Sequence, residues 1–94
     1  MNAVVRHLSI RGRVQGVGYR STMHQKALQW GVRGWVRNRL DGSVEAVVAG
    51  SAAAVEAMTA WAHRGPGGAL VLAVEVQEAQ GEKDFDGFEQ RPTA

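Results

Sequence analysis

"VRGWVRNRLDGSVEAVVAG", residues 32–50, sets two β-rich runs on either side of Asp41-Gly42, the signature of a hairpin. How the loop is counted decides which side chains share a face. A two-residue loop would set Leu40 opposite Ser43 and Asn38 opposite Glu45, leaving Val36 on the opposite face from Val44, Ala46 and Val48. A three-residue loop of Leu40, Asp41 and Gly42, with Gly42 at positive φ in a bulge, pairs Asn38 with Val44 and Val36 with Ala46. The second register gathers Val36, Val44, Ala46 and Val48 on one core face, and it is the one predicted. Asn38 then lies on that face too, at the end of its strand.

Upstream of the hairpin, residues 4–14 alternate. Val4, Leu8, Ile10, Gly12 and Val14 fall on one side, with Val5, His7, Ser9, Arg11 and Arg13 on the other, which reads as a half-buried strand. A glycine-containing stretch leads into a helix that Ser21 or Thr22 can cap. Its apolar stripe is Met23, Ala27, Leu28 and Trp30, and Gly31 supplies the usual C-terminal stop. Downstream, Ser51 can cap a second helix with Ala54, Val55, Met58, Trp61 and Ala62 on one side, ended by "RGPGG" at 64–68. "ALVLAVEVQ" at 69–77 is a fourth strand, residues 77–84 a polar loop, and "FDGFEQR" at 85–91 a short edge strand. The order β-α-β-β-α-β predicts an α+β (mixed α/β) chain. Its economical form is a split βαβ, ferredoxin-like sandwich with one antiparallel sheet and two helices on one face. A length of 94 residues predicts a single domain over 1–94.

Composition narrows the chemistry. Hydrophobic residues make up 45% and charged residues 21%, a globular balance that argues against disorder. Cysteine is absent, which excludes disulfides, a thiol nucleophile and a thiolate metal site. The absence of a long apolar run and the charges within "MNAVVRHLS" predict a cytoplasmic protein without a membrane partner. Eleven Lys and Arg against nine Asp and Glu leave a net charge of only +2. That reads as a mixed, solvated surface rather than a polyanion site, so no nucleic acid is expected, and a monomer is expected.

The stretch "RVQGVGYR", residues 13–20, needs a different explanation. Gly16 and Gly18 free the main chain to turn with positive φ and to aim several amide N–H groups at one point, a concave set that binds an anion. The following helix adds unpaired N–H groups and the positive end of its dipole. Arg20 stands at the junction, and its guanidinium can grip two phosphate oxygens at once. Residues 14–20 (Val14, Gln15, Gly16, Val17, Gly18, Tyr19 and Arg20) therefore read as a cradle for one tetrahedral oxyanion. A tight structural turn with a solvated arginine is the alternative. No Walker loop or dinucleotide fingerprint is present, so ATP and NAD are poor candidates.

The segments "GRVQGVGYR", "GVRGWVRNRLDGSVEAVVAG" and "GPGGALVLAV", in that order, resemble the acylphosphatase family over nearly the whole chain. The resemblance implies the same sandwich fold. It also implies hydrolysis of the carboxyl-phosphate bond of acyl phosphates, with no metal or organic cofactor and a small-molecule acyl phosphate as partner. It places the family's phosphate-binding arginine on Arg20 and its water-positioning asparagine on Asn38. The chain also lacks a His/Cys cluster, HExxH, a carboxylate pair at metal-ligand spacing and a nucleophile elbow.

Other residues invite weaker readings. His24 reads as a surface residue, Trp30 and Trp61 as core, and Tyr19 as either a support or a substrate contact. Gln15 could offer its amide to the substrate. Trp35 falls beside Arg33, Arg37 and Arg39 on the sheet face no helix covers, where an aromatic can stack on a base. A non-catalytic anion-binding or RNA-binding module on the same fold therefore stays as the alternative.

Overall fold

The computed structural model describes residues 3–79 and 85–94. Its elements run β1 (Val4–Arg13), α1 (Tyr19–Trp30), β2 (Arg33–Asn38), β3 (Val44–Gly50), α2 (Ala52–Arg64), β4 (Leu70–Glu78) and β5 (Phe88–Gln90). The sheet has the order β4-β1-β3-β2-β5. Both helices cross one face of it, giving the predicted ferredoxin-like sandwich.

The hairpin has the three-residue loop. Asn38 pairs with Val44 and Val36 with Ala46, and Gly42 adopts φ 93°. The Arg39 N–H donates to the Ser43 carbonyl at 2.8 Å, and the Gly42 N–H donates to the Arg39 carbonyl at 3.1 Å. Asp41 closes the turn by accepting from the Ser43 N–H and hydroxyl. Because strand side chains alternate, this register sends Val36, Val44, Ala46 and Val48 into the core, all fully buried.

Between sheet and helices lies a core of Leu8, Ile10 and the hairpin valines against Met23 and Ala27 of α1 and Val55, Met58 and Trp61 of α2. Ser51 caps α2, its hydroxyl accepting from the Ala54 N–H, and Gly31 closes α1 at φ 70°. The start of α1 differs from the sequence reading. The helix begins at Tyr19, and its N-cap is Gly18 with no side-chain cap at all; Ser21 and Thr22 lie inside the first turn. A left-handed glycine can end the incoming loop by itself, so no hydroxyl is needed there. Leu28, expected on the apolar stripe, is 68% exposed.

The expected all-antiparallel sheet also needs correction. β1, β3, β2 and β4 are mutually antiparallel where they pair, but β5 runs parallel to β2. Topology dictates this. β4 runs against β1, so a chain turning back after β4 travels with β1 and hence with β2, and beside β2 it can only be parallel. Gln77, where the expected strand and the polar loop meet, and Glu78, assigned to the loop from sequence, both belong to β4, and residues 80–84 of that loop lie outside the described residues.

The face without helices is not bare. Val5, Trp35, Val47 and Ala49 form a second apolar cluster on which Ala79 and Phe85 pack. Trp35 is only 6% exposed, and the guanidinium groups of Arg37 and Arg91 lie over its ring at 4.9 and 4.8 Å. The ring expected to be on display is thus covered, and base stacking on it loses its platform.

Candidate active site

The loop from β1 to α1 makes a small polar cleft. Gly16 and Gly18 both turn left-handed, at φ 75° and 80°, a conformation that costs an L side chain about 1 kcal/mol or more. A Cβ at either position would meet nothing within 4 Å, so the requirement is conformational rather than spatial. The turn brings Val14, Gly16, Gly18, Tyr19, Arg20 and Ser21 around a cleft of about 70 Å³. That is far below the roughly 300–1,000 Å³ of pockets for larger organic ligands, and it suits one compact polar group.

Electrostatics give the cleft its sign. α1 starts there without a capping side chain and without an acidic residue in its first turn. The first N–H groups of a helix have no intrahelical acceptor, so the positive end of the dipole stays uncompensated. Arg20 adds a full positive charge on the same lining. Ser21, read from sequence as a cap, contributes to the wall instead. Once Gly18 is recognised as the cap, Ser21 falls in the first turn of α1, the turn that also carries Arg20.

Three predicted loop residues turn their side chains elsewhere. Tyr19 is buried, donates its hydroxyl to the Ala62 carbonyl at 2.7 Å and packs on Trp61 with ring centroids 5.2 Å apart. Burial pushes its phenol far above the ordinary range. It ties α1 to α2, so only its main chain is left for the cleft. Val17 is half-buried and packs against the core cluster. Gln15 does not extend its amide outward, because its Nε2 donates to the Arg39 and Ser43 carbonyls, both at 2.8 Å.

Asn38 is not among the residues lining this cleft. It ends β2 opposite Val44, and its neighbour Arg39 is one of the two residues held by Gln15. Gln15 in turn sits between Val14 and Gly16 of the lining. The carboxamide oxygen of Asn38 is buried and finds no hydrogen-bond partner among the described residues. Buried acceptors are nearly always satisfied, so an orphaned one marks a place where a donor belongs. Among the described residues, no three His, Asp or Glu side chains gather closely enough to hold a metal ion. No described helix is long and apolar enough to cross a membrane.

Behind the hairpin, on the sheet face away from the helices, Glu45 organises the positive charge. Its carboxylate binds Arg39, takes the Nε–H of Arg37 at 2.7 Å and meets His7 Nε2 at 2.7 Å. The Arg39 contact foremost, with His7 and Arg37, pulls its carboxyl down to about 2 against the burial that opposes ionisation. Composition gave no hint of this cluster, which forms because the register sets Arg37 directly opposite Glu45 and brings His7 of β1, two residues from Glu45's partner Ser9, onto the same face.

The acylphosphatase family model matches residues 6–90. A protein named acylphosphatase from Acidovorax sp. (strain JS42) is 55% identical over 91 residues, covering 97% of this chain and 93% of the relative. Among solved structures, an acylphosphatase from Coxiella burnetii superposes with a TM-score of 0.90 at 34% identity, over 96% of this chain and 94% of that one. An acylphosphatase from Bacillus subtilis gives 0.89 at 28% identity, over 94% and 98%.

Proposed function

The chain belongs to the acylphosphatase family, and from that membership we propose that it hydrolyses the carboxyl-phosphate bond of acyl phosphates to a carboxylate and inorganic phosphate. The phosphoryl group sits in the 14–20 loop, its oxygens taken by main-chain N–H groups and by the Arg20 guanidinium. The observation that carries this reading is the uncapped start of α1 opening into a cleft lined by two left-handed glycines and an arginine. Such an arrangement suits a tetrahedral oxyanion.

Asn38 orients the attacking water. A carboxamide is no base at neutral pH, but its oxygen can accept one hydrogen bond from water and so hold that water in line with phosphorus. The water oxygen forms a bond to phosphorus as the bond to the acyl oxygen breaks. The water's proton passes to a phosphate oxygen, and the acyl oxygen leaves with the bonding pair. The conjugate acid of that leaving carboxylate has a pKa of roughly 4, so it departs without protonation and no general acid is required. What remains is positioning and stabilisation of charge on the equatorial oxygens, which loop amides and one arginine supply. No metal or organic cofactor has a step to perform.

The test is hydrolysis of benzoyl phosphate by the purified protein in EDTA. Turnover well above the spontaneous rate is expected; phosphate binding without turnover would reduce the site to an anion receptor.

A further inference from the structure

The side-chain amide of Gln15 reaches across 24 and 28 positions of sequence to the two main-chain carbonyls that close the hairpin loop, those of Arg39 and Ser43. Both carbonyls are already in use within the turn, accepting from the Gly42 and Arg39 N–H groups respectively. Gln15 occupies their second lone pairs. With carbonyls as both partners, only the NH₂ end of the amide can face them, so its orientation is fixed by the network. A single half-buried side chain therefore clamps the phosphate loop to the strand end that carries Asn38.

We infer that Gln15 is a positioning residue for hydrolysis: its side chain sets the distance between the phosphate cradle and the water-holding carboxamide of Asn38, while its own amide never touches substrate. This rests on the assignment of Asn38 to the water. The loop amides and Arg20 are built by the β1–α1 turn and need no help from the hairpin to bind phosphate. The alignment of water with phosphorus needs both halves. Rates respond steeply to such alignment, with a displacement of about 1 Å worth up to ~100-fold. Glutamine is suited to the task because two N–H donors leave one nitrogen toward two acceptors, which a carboxylate or a hydroxyl cannot reproduce.

The clamp is tested with Gln15→Met, which keeps length and volume and removes both donors, measured alone and combined with Asn38→Ala. For Gln15→Met, kcat on benzoyl phosphate falls roughly 10- to 100-fold, while inhibition by inorganic phosphate changes by less than about threefold. In the Asn38→Ala background the same substitution lowers kcat by less than about threefold, because the group it positions is gone. Parallel loss of phosphate affinity and kcat, or full multiplication of the two effects, overturns the inference. Full activity of Asn38→Ala alone overturns the water assignment instead, so the two failures are told apart. Gln15→Glu supplies a second readout. Its kcat relative to the parent rises as the pH falls from 7 to 4, through the ordinary glutamate pKa of about 4.3, since the protonated carboxyl regains one donor; a flat ratio contradicts the clamp.

Discussion

Glu45 shows how much a single side chain can organise here. It sits on the central strand β3, and its carboxylate draws Arg37 of β2, Arg39 just past the end of β2 and His7 of β1 onto one point. Its carboxyl is held at about 2 against an ordinary 4.5. A carboxyl depressed on folding adds stability that is complete above the unfolded value and is lost as the pH falls through the folded one. Glu45→Gln is therefore expected to cost roughly 2 kcal/mol at pH 7, with the gap from the parent closing between pH 4.5 and 2. Urea midpoints across that range check it; a gap constant with pH would mean the carboxylate is not the source. At this scale the sequence was half legible. Arg20 and Asn38 stand out through the motifs around them, whereas the bonds of Gln15 to residues 39 and 43 and of Tyr19 to Ala62 join segments that no local pattern relates.

The two helices begin in opposite ways, and the contrast is expected to separate stability from activity. α2 starts on Ser51, whose hydroxyl takes the Ala54 N–H; α1 starts on a left-handed glycine and leaves its first donors uncapped. Ser51→Ala is expected to cost about 1 kcal/mol with kcat and phosphate inhibition unchanged. Gly18→Ala costs about 1–2 kcal/mol from the φ it must adopt, and weakens phosphate binding as well. Urea denaturation paired with kinetics on both variants checks this, and equal kinetic behaviour would dissociate the start of α1 from anion binding. The hairpin register was readable because only one pairing buries all four apolar residues. The start of α1 was misread because serine and threonine near a helix start advertise a cap, and a glycine that caps by conformation alone does not. The direction of β5 was hidden for another reason: three residues carry no sign of what they pair with, and only the path of the whole chain sets it.

The proposed site belongs to the molecule as a whole. Its cradle is built where β1 turns into α1, its carboxamide ends β2, and the core that Leu8, Val36 and Met23 share holds the two together. On the far sheet face Arg37 and Arg91 lie over Trp35 and Ala79 and Phe85 pack on the cluster it belongs to, contacts that alternation alone could not reveal. The proposed mechanism assigns binding and turnover to different parts of the fold, and that division is what the account stands on. The measurement that probes it most directly is steady-state hydrolysis of benzoyl phosphate, with inhibition by inorganic phosphate, for Arg20→Ala and Asn38→Ala side by side. Arg20→Ala loses phosphate affinity and rate together. Asn38→Ala loses roughly 100-fold or more in kcat while inorganic phosphate inhibits it as it does the parent. An Asn38→Ala enzyme of undiminished kcat, or an Arg20→Ala enzyme with undiminished phosphate affinity, would contradict the account.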